Sequence, residues 1–188
     1  MHDVPYFDRF APLYDVVVPE TDAAPLDAGL GLADRRIANV LDLGGGTGRA
    51  GRAIEADTVI FDASQPMLSR ATTNGHPVLQ GDVRSLPLAD ESVDAVVSVD
   101  AIHHLPAFET VLAEVKRVLR PGGVLVVRDF DPSTLRGRGL ALAERLVGFE
   151  STFFRVETLV ERFERAGLEP TVLETGFVYT IAGRKPRA

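Results

Sequence analysis

Short runs of apolar, often β-branched residues alternate along the chain with segments whose apolar residues recur at helical spacing. The runs are almost entirely apolar, which is typical of strands that are covered on both faces of a parallel sheet. We predict five such strands, at residues 39–43, 58–62, 77–80, 94–99 and 123–130. The alternation of strands and helices predicts one α/β layer sandwich with right-handed crossovers.

Helical spacing between these strands occurs at residues 49–56, 65–73 and 106–119. In the last segment, six apolar residues fall on one helical stripe, namely Phe108, Val111, Leu112, Val115, Val118 and Leu119. The Pro-Gly-Gly sequence at 121–123 then predicts the end of this helix, because proline and glycine terminate helices.

The pattern changes after the fifth strand. Residues 131–155 form an unusually long connection with two Arg-Gly pairs, and such a segment usually serves a function or holds extra helices. Residues 156–168 predict an amphipathic helix, and residues 171–183 predict two antiparallel strands around Gly176. We find no repeat and no second domain in the sequence, so residues 1–188 are expected to form a single domain.

The composition is that of an ordinary globular protein, and the net charge of −7 argues against a nucleic-acid groove, because phosphate binding needs clustered Lys and Arg. Arg136, Arg138 and Arg145 are compatible with a local basic patch, although we favour a solvated helix face. The absence of cysteine removes disulfides, thiolate metal sites and cysteine nucleophiles.

No targeting or membrane segment is visible in the sequence. The N-terminus lacks the basic segment and apolar run of a secretory signal. The longest apolar runs, such as residues 124–127, are far too short to span a bilayer. By default we expect a cytoplasmic protein with no membrane span.

Four aspartates recur at the spacing of the βα unit. Asp42, Asp62 and Asp82 are 20 residues apart and Asp100 follows 18 residues later, each at or near the end of a predicted strand. Parallel strands bring all four carboxylates to one edge of the sheet, where ligands of open α/β sheets bind. A single aspartate at a strand end is more often a cap or turn residue, but several beside a glycine loop indicate a binding site.

The glycine loop after the first strand is open to two interpretations. Residues 46–51 match the dinucleotide pattern G-x-G-x-x-G, which keeps a nicotinamide-dependent oxidoreductase as an alternative. An oxidoreductase of this kind would bind the diphosphate of its cofactor beside Asp42. The two negative charges would repel each other, which counts against this interpretation. Read from the acid, the pattern is Asp42-x-Gly44-x-Gly46-x-Gly48, which suits a ligand with a cationic amino-acid end and no phosphate.

Four motifs in order resemble those of the class I S-adenosylmethionine-dependent methyltransferases. "VLDLGGGTG" (40–48) is similar to their first motif, and "VIFDASQPMLSRA" (59–71) looks like their second strand with its ribose-binding acid. Residues 81–105 resemble the adenine-binding loop and the fourth strand, and residues 118–123 resemble the turn before the fifth strand. The resemblance extends from about residue 6 to residue 184.

This resemblance, the strand count and the terminal hairpin together predict a Rossmann-like three-layer sandwich. We expect a seven-stranded, mostly parallel sheet with the order 3-2-1-4-5-7-6, in which only strand 7 is antiparallel. Residues 1–36 are expected to form N-terminal helices that act as a lid, and residues 131–155 are expected to form an insertion over the site.

The resemblance also implies a binding site for S-adenosylmethionine. Asp42 would lie near the ammonium of the cofactor. Asp62 would accept hydrogen bonds from both ribose hydroxyls, and the next residue, Ala63, would belong to the same binding site. Three glycines would lie under the methionine part of the cofactor, namely Gly44, Gly46 and Gly48.

For the adenine, the resemblance implies that Asp82 accepts a hydrogen bond from the amino group and that the backbone amide of Val83 serves a ring nitrogen. Met67 would pack on the adenine, although a core position on its helix explains this residue equally well. Ser98 and Val99 would line the pocket near the sulfonium.

Methyl transfer from a sulfonium is an in-line displacement, so the protein mainly needs to align donor and acceptor and to exclude water. A base is needed only if the acceptor keeps a proton, and His103 and His104 are the candidate catalytic residues. Adjacent residues on a helical turn point apart, so at most one of them should face the site. We expect no metal, because the histidines have no cysteine and no i, i+4 partner. Tyr14 is placed to close the pocket, with plain packing as an equal alternative.

We therefore predict an S-adenosylmethionine-dependent methyltransferase that acts on a small-molecule acceptor. The opening "FDRFAPLYD" (7–15) looks like the small-molecule branch that includes quinone-biosynthesis C-methyltransferases. The alternatives are a nicotinamide-dependent oxidoreductase and a catalytically silent, cofactor-binding regulatory protein. The sequence leaves the acceptor, the methylated atom and the oligomeric state open.

Overall fold

Seven strands form one sheet in the structure, a computed structural model that describes residues 3–187. The strands are β1 (Asn39–Leu43), β2 (Asp57–Asp62), β3 (Val78–Gln80), β4 (Val93–Val99), β5 (Leu119–Phe130), β6 (Glu169–Glu174) and β7 (Val178–Arg184). Their order across the sheet is β3-β2-β1-β4-β5-β7-β6. Residues 1, 2 and 188 of the predicted domain lie outside the described residues.

Only β7 runs against the other strands. β1 pairs in parallel with β2 and β4, β2 pairs in parallel with β3, and β4 pairs in parallel with β5. β7 is antiparallel to both of its neighbours, β5 and β6. The predicted strand order and the single antiparallel strand are therefore confirmed.

Helices cover both faces of the sheet. Among the described residues they are α1 (Val4–Val17), α2 (Ala23–Leu30), α3 (Arg49–Arg52), α4 (Gln65–Thr73), α5 (Phe108–Val118), α6 (Leu135–Val147) and α7 (Val156–Arg165). On one face, α2, α3 and α4 bury Leu26, Ala50 and Leu68 against the sheet. On the other face, α5 and α7 bury Val111 and Leu159. The predicted three-layer sandwich is confirmed.

Two predicted helices are shorter than expected. The helix predicted at 49–56 ends at Arg52, because the amides of the next two residues bond to carbonyls three positions back and tighten the last turn. The helix predicted at 156–168 ends at Arg165, where Gly167 closes the C-terminal turn in the left-handed region.

The boundary between α5 and β5 also differs from the prediction. α5 ends at Val118, and Leu119 is already extended and paired with Val93 of β4. β5 therefore begins at Leu119 and not at 123. The Pro-Gly-Gly sequence lies inside the strand, where the register with β4 shifts and where Gly122 has a φ of +76°.

The strand order reverses between β1 and β4, and the carboxyl ends of these strands frame a crevice. Asp42 of β1 lies beside Ile60 of β2 and Val97 of β4 across the sheet. The connection 131–155 contains α6, which is one of the extra helices that its length predicted. Within residues 3–187, no helix has both the length and the apolar character needed to cross a membrane.

Candidate active site

A cavity lies at the carboxyl ends of β1, β2 and β4. Its wall combines the loops that follow these strands with parts of α1 and α3. The structure brings ten of the predicted site residues together in this wall, namely Tyr14, Asp42, Gly44, Gly46, Asp62, Ala63, Met67, Val83, Val99 and His104.

Asp42 supplies a buried carboxylate to the cavity wall. The residue is inaccessible to solvent, and neither carboxylate oxygen has a hydrogen-bond partner among the described residues. Gly45 makes room for it, since a Cβ at this position would lie 2.5 Å from Cγ of Asp42. Burial raises the pKa of Asp42 to about 7, because the positive charge of the nearby Arg49 offsets the lost hydration only in part. The site therefore holds a charge-bearing group with no partner of its own.

The glycine loop turns tightly between β1 and α3. Gly44 has a φ of +69°, and a Cβ there would lie 2.9 Å from Cβ of Ala101, so a side chain is excluded by both conformation and space. The amide of Gly46 donates to Oδ2 of Asp62 at 3.0 Å. The loop thus presents bare backbone to the cavity and is tied to the end of β2.

Asp62 is the last residue of β2, and it links three segments around the cavity. Its Oδ1 accepts from the amide of Ser64 at 2.8 Å, in addition to the bond from Gly46 to Oδ2. Burial raises the pKa of Asp62. Ser64 also caps α4, because its hydroxyl accepts from the amide of Met67. A carboxylate has about four acceptor positions, so two remain for a ligand.

Four predicted residues lie outside the cavity wall. Gly48 caps the start of α3, and Ser98 is buried and donates to the carbonyl of Leu43. Asp82 is partly exposed and forms a forked ion pair with Arg84, which lowers the pKa of Asp82 to about 2. The fourth is His103. The ligand roles of these residues stay predictions, and Asp82 would have to leave Arg84 to contact an adenine.

An ion pair in the cavity wall escaped the sequence analysis. Nη2 of Arg49 lies 3.0 Å from Oδ2 of Asp100, and Nη1 donates to the carbonyl of Pro19. The guanidinium also lies over the ring of Tyr14, 5.5 Å from its centroid. The aspartate spacing identified Asp100, but Arg49 gave no signal beyond following the glycine loop.

His103 is a buried cation. Its Nδ1 lies 2.7 Å from Asp129, and its Nε2 lies 3.6 Å from Glu144. Burial lowers the pKa of His103, but the two carboxylates outweigh this effect and raise it to about 10. Ligating atoms of His103, His104 and Glu144 lie within 4.8 Å of one another. The protonated ring of His103 attracts Glu144, which explains why these atoms lie close together. A metal ion bound here would have to displace the proton of His103.

His104 has the opposite character. Burial, together with the neighbouring His103, lowers its pKa, so His104 is neutral at pH 7. Its Nδ1 lies 2.8 Å from Oδ2 of Asp3, which leaves Nε2 as the proton acceptor. Only His104 of the two histidines lines the cavity, as expected for adjacent residues on one turn.

Helix α1 is held over the cavity by three acids, namely Asp8 and Asp15 within the helix and Asp3 at its N-cap. Asp3 holds His104, and Asp8 accepts from the hydroxyl of Ser64 at 2.6 Å. Asp15 accepts from Thr47 at 2.5 Å and pairs with Arg70. Because these contacts join α1 to the loops after β1, β2 and β4, the helix covers the carboxyl edge of the sheet.

Known proteins share both the sequence and the fold of this site. A family model described as a methyltransferase domain matches residues 41–127, which contain the glycine loop after β1 and the histidines after β4. A malonyl-[acyl-carrier protein] O-methyltransferase of Xylella fastidiosa is 36% identical over 142 residues, which cover 69% of this chain and 48% of the relative. The chain belongs to the class I S-adenosylmethionine-dependent methyltransferases.

Two further methyltransferases agree with this assignment. A ubiquinone/menaquinone biosynthesis C-methyltransferase of Dinoroseobacter shibae is 37% identical over 131 residues, covering 63% of this chain and 52% of the relative. The crystal structure of an S-adenosylmethionine-dependent methyltransferase of Thermotoga maritima superposes with a TM-score of 0.80 at 26% identity, covering 97% of this chain and 99% of that one. The resemblance found in the motifs is confirmed, and S-adenosylmethionine is the cofactor of this family. The chain spans about half the length of the curated relatives it matches.

Proposed function

We propose that this chain transfers the methyl group of S-adenosylmethionine to a small-molecule acceptor by in-line displacement. The observation that carries the proposal is the buried carboxylate of Asp42, which has no partner among the described residues and lies in a cavity wall built from bare glycine backbone. A buried acid of this kind calls for a cationic ligand. A dinucleotide would instead place a diphosphate beside it, so the site favours the methyltransferase over the oxidoreductase.

The residues in the cavity fit the parts of the cofactor. Asp42 is placed for the ammonium of the methionine moiety, and the two remaining acceptor positions of Asp62 are placed for the ribose hydroxyls. Met67 and Val83 supply buried apolar surface for the adenine, and Val99 lines the wall for the sulfonium. The sulfonium supplies an activated methyl group. The task of the chain is to align the acceptor with it and to exclude water.

His104 is the candidate base for an acceptor that keeps a proton. It lines the cavity, it is neutral, and its bond to Asp3 fixes the tautomer that can accept a proton at Nε2. His103 holds its own proton between Asp129 and Glu144 and is therefore a positioning residue.

Helix α1, within the predicted 1–36 cover, would act as a lid. The cavity encloses about 70 Å³, whereas sites for drug-sized ligands are roughly 300–1,000 Å³. Binding would therefore require α1 to move away from the carboxyl edge of the sheet. The contacts of Asp8 with Ser64 and of Asp15 with Arg70 are the ones that would open.

The acceptor would have an apolar or planar part. The ring centroids of Phe7 and Phe149 lie 4.9 Å and 5.2 Å from that of His104, so two aromatic rings pack against the candidate base. The net charge of −7 disfavours a nucleic-acid acceptor. A relative named for ubiquinone and menaquinone biosynthesis supports an acceptor of this kind. The cytoplasmic location expected from the sequence stays a prediction.

Calorimetry with the purified chain tests the proposal. S-adenosylmethionine should bind with micromolar-range affinity, on the order of −8 kcal/mol, and NADH should not bind. Binding of NADH without binding of S-adenosylmethionine would favour the oxidoreductase. Cofactor binding with no turnover on any acceptor would instead indicate the silent regulatory protein.

A further inference from the structure

Helix α6 presents a line of leucines to solvent. Leu135, Leu142 and Leu146 are 86%, 59% and 79% exposed, and their spacing places them on one side of the helix. The opposite side faces the protein, because Gly137 is buried there and Glu144 reaches His103. The leucines are thus the outermost residues of the helix and not the edge of a core-facing stripe.

Arginines flank this line of leucines. Arg138 and Arg145 lie on one side of it and Arg136 lies on the other, at helical spacing. All three are exposed, and none forms an ion pair with another residue of the 3–187 region. The only acid of α6, Glu144, is turned inward and accepts from Ser151. The outer face of α6 is therefore apolar and cationic in a protein of net charge −7.

Helix α1 approaches the C-terminal end of α6 and has exposed apolar residues of its own. Its Tyr6 contacts Phe149, just beyond the C-terminus of α6, with ring centroids 5.1 Å apart. Leu13, Val16 and Val17 of α1 are exposed, while both of its acids bond inward to the protein. Helix α1, which covers the cavity, and helix α6, which it approaches through Phe149, thus each expose apolar residues.

We propose that the outer faces of α6 and α1 dock this protein on the surface of an anionic lipid bilayer. A line of apolar residues flanked by arginines is the pattern of helices that lie in a membrane interface, where arginine stems bury along apolar surface and their guanidinium groups reach phosphates. A symmetric dimer through α6 fits less well, because it would bring like-charged arginines together. Docking places the cavity near the bilayer, since Phe149 packs on His104 of its wall. The proposal does not depend on which acceptor is methylated.

Vesicle co-sedimentation of the full chain tests the proposal. The protein should sediment with vesicles of equal parts phosphatidylcholine and phosphatidylglycerol, stay in solution with phosphatidylcholine alone, and dissociate as salt is raised. Arg138→Gln/Arg145→Gln should weaken binding roughly 30-fold, as expected for about 1 kcal/mol per arginine near the surface. The matched control is Arg36→Gln/Arg165→Gln, which removes the same charge from two exposed arginines at the amino edge of the sheet and should bind like the wild type.

A second variant tests the apolar part of the surface. Leu142→Glu/Leu146→Glu should abolish vesicle binding while leaving the circular dichroism and the calorimetric affinity for S-adenosylmethionine unchanged, because both side chains are exposed. A wild type that ignores anionic vesicles would overturn the proposal, as would equal losses in the two arginine variants. A wild-type dimer in light scattering that the leucine variant converts to monomer would assign the surface to a second copy instead.

Discussion

Asp42→Asn should move stability and cofactor affinity in opposite directions. The carboxylate is fully buried without a partner among the described residues, and burial raises its pKa from 3.8 to about 7. At about 1.4 kcal/mol per pKa unit, this shift corresponds to about 4 kcal/mol against the charged form in the folded protein. An amide of the same shape carries no charge, so the variant escapes this cost.

The pH dependence gives the clearest signature of this cost. Because the folded-state pKa of Asp42 lies above its unfolded value of 3.8, the wild type loses stability as the pH rises from about 4 to about 7. The stability of Asp42→Asn relative to wild type should therefore grow by about 2–3 kcal/mol between pH 5 and pH 8. The cost of burying an unpaired amide, about 1–3 kcal/mol, is the same at both pH values and cancels.

Urea titrations of the ligand-free proteins at the two pH values measure this difference. Calorimetry should show that the same variant binds S-adenosylmethionine about 10- to 100-fold more weakly, since the ammonium loses an ionic partner. Asp57→Asn, at the exposed opposite end of β2, is the matched control and should change neither quantity. A stability difference equal at pH 5 and pH 8, together with unchanged binding, would refute the reasoning.

Three further substitutions test the rest of the site. Asp62→Ala should weaken S-adenosylmethionine binding by about 1.5–3 kcal/mol in calorimetry; unchanged affinity would remove the ribose assignment. His104→Ala should lower turnover about 10²- to 10⁴-fold at nearly constant cofactor affinity, and undiminished turnover would dismiss the base. His103→Ala should cost about 3–5 kcal/mol in chemical denaturation, because Asp129 is left buried and unpaired. The wild type should lose stability as the pH rises from 6.5 to about 10, and the variant should show no such loss. A variant as stable as the wild type would contradict an ionised pair.

The layout of the fold and of the cofactor site could be predicted because local patterns determine both. Apolar runs without alternation located the parallel strands, and the recurring aspartates marked their carboxyl ends. Asp42 and Asp62 consequently meet at the cavity, as the βα spacing predicts. The exception is Asp82, whose neighbour Arg84 binds its carboxylate at the surface. Arg84 is visible in the sequence two residues from Asp82, but the ion pair that the two side chains form is not.

The electrostatic pairs of the site depend on tertiary packing and could not be predicted. Arg49 meets Asp100 across 51 positions, and His104 meets Asp3 across 101. Which of two adjacent histidines faces the cavity depends on the rotation of one short turn, and their opposite pKa shifts follow from that choice. The boundary at Leu119 escaped for a similar reason, because strand pairing with Val93 extends β5 through the Pro-Gly-Gly sequence.

Methyl transfer itself is tested most directly by following the methyl group. The full chain would be incubated with methyl-labelled S-adenosylmethionine and a fractionated metabolite extract, and the products would be identified by mass spectrometry. We expect the label in a small molecule, at a rate that falls sharply in Asp62→Ala. Label found only in RNA or protein would contradict the small-molecule acceptor, and a cofactor-bound protein that labels nothing would contradict methyl transfer by this chain.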